Sequence, residues 1–112
     1  MSKAIRLQAE PVRSLAFGSI SGVYAGIGTE MTRPIRMILL QNLTNAAVMV
    51  SFDGINDHLP LAANGYIVLD VTANKTVDTG FFIGEGQRFY VKDLGVACTA
   101  MSVYLSVFYG SE

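Results

Sequence analysis

The run "MSVYLSVFYG", residues 101–110, constrains the fold more than any other part of the chain. Met101, Val103, Leu105, Val107 and Tyr109 fall on one side of an extended strand, and Ser102, Tyr104, Ser106 and Phe108 on the other. A helix turning by about 100° per residue would scatter that apolar set around its circumference, whereas a strand gathers it on one face. The run therefore calls for a sheet with one face covered by a second layer. Shorter runs of the same kind precede it. They are "SLAFGSI", "GVYAGI", "RPIRMILLQN", "AAVMVSF", "YIVLDV", "GFFIG" and "RFYVKD". In "AAVMVSF", Val48, Val50 and Phe52 share a face opposite Ala47, Met49 and Ser51. Pro34 is compatible with its run only at the first position.

Turn-forming residues separate the runs: Asp53-Gly54, Asn56-Asp57, Asn64-Gly65, Asn74-Lys75 and Asp93 to Gly95. Asn-Gly and Asp-Gly suit tight hairpins because both residues accept positive φ. About eight short strands with turns every 8–12 residues predict an all-β, two-sheet antiparallel sandwich. Eight strands suit a jelly roll. Strand count alone leaves the connectivity open, and an immunoglobulin-like order fits the same count. The first 13 residues carry more charge and contain Pro11. They are expected to form an N-terminal arm (1–13) ahead of a sandwich domain (14–112), ordered where it docks.

The chain's 112 residues fit one domain. Net charge is -1, with no block of like charge, so the basic surplus of a nucleic-acid binder is missing. No run reaches the length of a membrane span, and the N-terminal stretch lacks the apolar core of a secretory signal. Neither nucleic acid nor membrane is expected as a partner. Hydrophobic residues make up 51% and charged residues only 15% of the chain. Such a composition predicts an efficient core together with apolar surface left for a partner subunit.

Candidate chemistry centres on "SFDGINDHLPLAANGYIVLDV", residues 51–71, which holds the single histidine, His58, near Asp53, Asp57 and Asp70. A hydrolytic triad needs a nucleophile, a histidine and a carboxylate in one place. The nearest approach to a nucleophile elbow, Gly18 to Gly22, puts Ser21 fourth rather than third. One histidine and one cysteine are too few for zinc. Asp53, Asn56 and Asp57 offer oxygens for calcium but lack EF-hand spacing and its closing glutamate. "GVYAGIGTE" ends in Glu30 where a phosphate loop has lysine and a hydroxyl. Asn42 in "NLT" and Asn74 in "NKT" match glycosylation sequons but read as turn residues. Cys98, among small apolar residues, reads as a buried small hydrophobe. Tyr104, Phe108 and Tyr109, at strand period, read as core or interface. No catalytic residue, metal or cofactor is expected, and the chain is not expected to be an enzyme.

The phrases "QNLT", "SFDGIND", "ANGYIVLDVT", "GFFIGEGQRFYVKD" and the closing "SVYLSVFYG", spread over about residues 20–110, resemble small virion proteins of tailed bacteriophages. In size the chain is most similar to the capsid decoration, or cement, proteins of short-tailed phages. That resemblance implies a jelly-roll-like sandwich on the capsid exterior, made in the bacterial cytoplasm, that staples neighbouring coat subunits. The implied partners are the major capsid protein and further copies of the chain, as a homodimer or higher oligomer. A head–tail connector or tail ring component, or a carbohydrate or host-surface binding module, are the alternatives. Contact residues are expected in the arm, at Ile5, Arg6 and Leu7, and in the loop carrying Asp53, Asn56, Asp57 and His58, because turn tips of a sandwich face outward.

Overall fold

The computed structural model describes residues 6–33, 35–70 and 86–111. These form nine strands: β1 (Arg6–Ala9), β2 (Arg13–Ala16), β3 (Ala25–Gly26), β4 (Met37–Asn42), β5 (Val48–Ser51), β6 (Leu59–Leu61), β7 (Tyr66–Asp70), β8 (Tyr90–Asp93) and β9 (Ser102–Ser111). One sheet has the order β1-β9-β4-β7, with β2 also on β9; the other has the order β3-β8-β5-β6. All pairings are antiparallel.

The pairings are nested. β2 lies against β9, β3 against β8, β4 against β7 and β5 against β6. The chain is thus one long double ribbon closed at the β5–β6 turn, wrapped so that successive strand pairs lie in opposite sheets. This is the jelly roll, and it settles the connectivity that strand count left open. β1 and β2 pair with successive stretches of β9, Ala9 opposite Phe108 and Arg13 opposite Leu105, with Pro11 in the break between them.

Alternation decides what is buried. Ile38 and Leu40 of β4, Val48 and Val50 of β5, Val91 of β8, and Val103, Leu105 and Val107 of β9 are all fully buried between the sheets. Burying each such side chain contributes about 1.5–3 kcal/mol. Ser102, Tyr104, Ser106 and Phe108 take the outer face of β9, half-buried. Cys98 is buried beside Thr44, its Sγ 3.4 Å from Thr44 Oγ1.

Several expected strands are shorter than their apolar runs. "SLAFGSI" divides into β2 and a 3-10 turn at Phe17–Ser19, and "GVYAGI" supplies only Ala25–Gly26. The glycines there leave no side chain to pack along a strand, and the serines offer only a small polar one. "GFFIG", Pro34 and Asn74 lie outside the described residues. Residues 6–9, within the segment read as an arm, form β1 on the chain's own β9. The chain then turns at Glu10, which accepts hydrogen bonds from Arg13 at 2.8 Å and Arg33 at 2.9 Å.

Asn42 is not a turn residue but the fully buried end of β4. Its Nδ2 donates to the carbonyls of Ala46 (3.0 Å), Leu61 (3.1 Å) and Ala62 (3.1 Å). Its Oδ1 accepts from Thr44 N–H at 3.1 Å and Thr44 Oγ1 at 2.6 Å. One amide thereby ties the end of β4 to the β4–β5 turn and to the end of β6. An Asn42→Ala variant strands several buried polar groups and should lose about 3 kcal/mol or more of stability in urea unfolding. Asn42→Asp keeps the shape but turns a carboxylate oxygen toward three carbonyls, and should be at least as destabilising at pH 7. A wild-type midpoint for either variant would refute the structural role given to this amide.

Candidate functional site

The two ends of the sandwich differ in chemistry. At one end, loop 52–58 closes the β5–β6 hairpin. Its hub is Asp53, whose Oδ1 accepts from the N–H groups of Ile55 and Asn56, both at 2.8 Å, and from Ser51 Oγ at 2.9 Å. Its Oδ2 accepts from Asn56 Nδ2 at 2.9 Å. Buried Ser51 Oγ also accepts from the N–H groups of Asp53 and Gly54. Gly54 has φ +77, and a Cβ there would sit 3.3 Å from the Tyr90 ring, so this position favours glycine twice over. The Asn56 N–H, then the Ile55 N–H, then the Asn56 side chain hold the Asp53 carboxyl well below the usual carboxylate range.

His58 belongs to the same turn. Its Nδ1 accepts the Phe52 N–H at 2.9 Å, and its own N–H donates to Val50 O at 3.0 Å. Its ring stands 5.3 Å from Phe52, which meets buried Phe89 edge-on. Asp57 reaches over the outer face of the second sheet to accept from the Tyr24 hydroxyl and, at 3.1 Å, from Lys92 Nζ. Lys92 Nζ also lies 4.7 Å from the centre of the Tyr24 ring. The Tyr24 hydroxyl first, then Lys92, lowers the Asp57 carboxyl. Burial, followed by the hydrogen bond to Asp57, pushes Tyr24 up to about 12.

The structure thus brings Asp53, Asn56, Asp57 and His58 into one exposed loop, where Asp53, Asn56 and His58 Nδ1 bond within the turn and Asp57 bonds Tyr24 and Lys92 outside it. Ser51 Oγ engages Asp53, and His58 Nδ1 engages a main-chain N–H, so the three do not form a relay. The Asp53 oxygens are surrounded by donors rather than turned toward a cation. Among the described residues no three His, Cys, Asp or Glu side chains converge as a metal site. Among them, too, no helix is long and apolar enough to cross a membrane. Leu7 lies on β1 and is 57% exposed. Arg6 begins β1, and Ile5 lies outside the described residues.

The opposite end is apolar. Loops 17–24 and 94–101 run side by side, tied by Phe17 N–H to Met101 O at 3.0 Å and by Asp93 N–H to Ser21 O at 2.8 Å. Neither loop contains a charged residue. Between them they expose Phe17, Val23, Leu94, Val96 and Met101, with Val23 at 72% and Val96 at 68%. Met101 has φ +70, a strained backbone for a residue with a side chain. Asn45 and Thr99 exchange two hydrogen bonds, 2.6 and 2.9 Å, fixing the second loop to the β4–β5 turn. Single exposed apolar residues are ordinary on a protein surface; two adjacent loops that expose five of them together form a candidate interaction surface.

This surface went unnoticed in the sequence because 17–24 read as strand, while 94–101 read as a turn at Asp93 to Gly95, a buried Cys98 and the start of the last strand. The available signal was the conjunction of apolar residues with Gly18, Gly22 and Gly95, which break strands, and the lack of charge. Comparison with known protein families, curated proteins and solved structures finds no match to this chain.

The polar end makes a pH prediction. Asp53 and Asp57 have lowered folded-state pKa values, so their contribution to stability is complete above the ordinary carboxylate value near 4 and is lost as pH falls below it. Tyr24 is raised, so its contribution is complete below about 10 and is lost as pH rises through about 12. A tyrosinate absorbance titration of wild type against Tyr24→Phe should place this hydroxyl near 12. Asp57→Asn should lower it without returning it fully to 10, since burial remains. An unchanged titration in Asp57→Asn would contradict the hydrogen-bond assignment.

Proposed function

We propose that this chain is a non-enzymatic structural protein of a tailed-bacteriophage virion. It acts as a capsid decoration or cement protein that binds outside the shell and joins neighbouring coat subunits. The observation that carries the reading is the uncharged apolar end formed by loops 17–24 and 94–101. A surface of this kind gains free energy by being covered, and a rigid jelly roll presents it without ordering cost at the moment of binding. The resemblance of the quoted phrases to small virion proteins supplies the setting. The jelly roll is a fold used in viral capsid and lectin domains, which is support by analogy only. The major capsid protein is the proposed partner, and copies repeated over a shell turn individually modest contacts into strong retention.

The polar loop at the other end takes a different role in this reading. Its Asp53 carboxylate is hydrogen-bonded within the turn and Asp57 pairs with Lys92 of β8, so the loop stays hydrated and faces away from the coat. That moves the docking surface from the expected Asp53–His58 tip to the apolar end.

Capsids stripped of the protein and re-exposed to Val96→Asp or Phe17→Asp should bind at least tenfold less of the variant than of wild type, with the thermal midpoint unchanged. Asp53→Ala should perturb the loop and leave capsid binding within about twofold of wild type. Full binding by both apolar-end variants would sink the docking assignment. Counting copies per virion distinguishes the cement role, which follows the number of coat seams, from a connector or tail ring, which follows a single ring.

A further inference from the structure

Asn64 is the chain's only asparagine followed directly by glycine. Asparagine is among the chemically labile residues, and a following glycine makes it more so. With no side chain in the way, the main-chain nitrogen of the glycine, once deprotonated, attacks the asparagine Cγ. The N–Cγ bond forms, the Cγ–Nδ2 bond breaks, and ammonia leaves carrying the proton that the glycine nitrogen gave up. Water then adds to either carbonyl of the resulting cyclic imide and opens it, leaving aspartate or isoaspartate. Asp53-Gly54 is the other pair of this type. Its carboxylate is held by Ile55, Asn56 and Ser51, and its Gly54 N–H by Ser51 Oγ, so cyclisation there breaks more bonds.

The fold sets Asn64-Gly65 in the turn between β6 and β7, with the Asn64 side chain exposed. Asn64 has φ +62, the left-handed backbone that the third position of a type II turn requires and asparagine tolerates. Gly65 N–H donates to Ala62 O at 2.8 Å, and Gly65 O accepts from Asn42 N–H at 2.8 Å. Ala62 O also accepts from Asn42 Nδ2 at 3.1 Å. Buried Asn42 thus pins the turn twice, by its main chain and by its side chain. A Cβ on Gly65 would lie 2.9 Å from Ala62 O, so a bulkier residue that slows the attack fits only if the turn shifts.

We propose that Asn64 is a site of spontaneous deamidation held in check by the closed β6–β7 turn, and that isoaspartate formed there bars the turn from closing again on Asn42. In the closed turn the Gly65 N–H proton is committed to Ala62 O. The nitrogen cannot swing to Asn64 Cγ without giving up that bond and drawing Gly65 O away from Asn42 N–H. The reaction therefore proceeds from the opened turn, in proportion to the fraction of molecules that are open. Isoaspartate routes the main chain through the former side chain and lengthens it by one methylene. The bonds of Gly65 to Ala62 and to Asn42 flank the added atom, so both cannot reform. Aspartate keeps the main-chain length and both bonds. One opening of an exposed turn is thereby converted into lasting loss of contacts around the buried Asn42 amide. The inference concerns the covalent chain alone and does not rest on the virion reading.

Wild type and a free peptide of residues 59–70 are incubated in the same mildly alkaline buffer, with deamidation read by peptide mapping in a mass spectrometer and isoaspartate by enzymatic methylation. The folded protein should react about tenfold or more slowly than the peptide, and at Asn64 ahead of Asn45 and Asn56. Asn42→Ala should bring the rate toward that of the peptide; wild type in sub-denaturing urea should do the same without any substitution. Asn64→Gly, which suits φ +62, should keep the thermal midpoint close to that of wild type and abolish the modification. The isoaspartate form, separated by chromatography, should melt below the aspartate form. Reaction of the folded protein at the rate of the peptide would overturn the inference, as would a rate indifferent to both Asn42→Ala and urea. An isoaspartate form as stable as the aspartate form would overturn the claim that the turn cannot close again.

Discussion

The fold turns on the buried side chain of Asn42. In a jelly roll the chain crosses between sheets at nearly every connection, and each crossing leaves main-chain groups with no strand partner. Where β4 passes to β5 and β6 passes to β7, the carbonyls of Ala46, Leu61 and Ala62, the last with the Gly65 N–H as a second donor, converge on this one amide. Its oxygen holds the Thr44 N–H and hydroxyl, and Thr44 in turn bonds Ala46 O at 2.9 Å. An apolar residue of the same size would fill the space but remove the donor shared by these three carbonyls and the acceptor for Thr44. The polar network therefore fixes where the ribbon changes sheets, while the apolar core supplies most of the driving force.

The chain carries two kinds of loop for two kinds of work. Loop 52–58 is wired by its own side chains: Asp53 and Ser51 replace the hydrogen bonds that a tight two-residue turn would have made. Being saturated, it can stand in water without needing a partner. Loops 17–24 and 94–101 are held by main-chain bonds and by the Asn45–Thr99 clamp, which leaves their side chains unspent. Polar side chains consumed in building a loop are lost to recognition. Apolar ones that build nothing remain for a partner.

Much of the architecture was legible because strand alternation and turn residues are local signals. Val48 and Val50 of β5 and Val103, Leu105 and Val107 of β9 are buried as the pattern required, and so is Cys98, whereas Met101, expected on the core face, is exposed ahead of β9 and Ser51, expected opposite Val50, is buried by its bonds to the 52–58 loop. The turn residues Asp53-Gly54, Asn56-Asp57 and Asn64-Gly65 do fall between strands. What escaped was non-local. Nothing in "RLQA" reveals that it pairs with residues 108–111, and nothing in "QNLT" reveals that its asparagine is buried among carbonyls from β6. The site followed the same division. That Asp53 and Asn56 stabilise a turn was readable from residue type. The Asp57–Tyr24–Lys92 cluster joins three separate elements, and the apolar end appears only once two distant loops are laid side by side.

β9 is the last of the described strands to be made, yet it sits between β4 on one side and β1 and β2 on the other. Until it is added, the earliest strands have no neighbour in their sheet and the apolar face of β4 has no lateral cover. The β5–β6 hairpin can close early, but the first sheet cannot assemble before β9 has emerged from the ribosome. Assembly of the first sheet is therefore expected to wait for β9 and then to be abrupt, since that strand is also its central one.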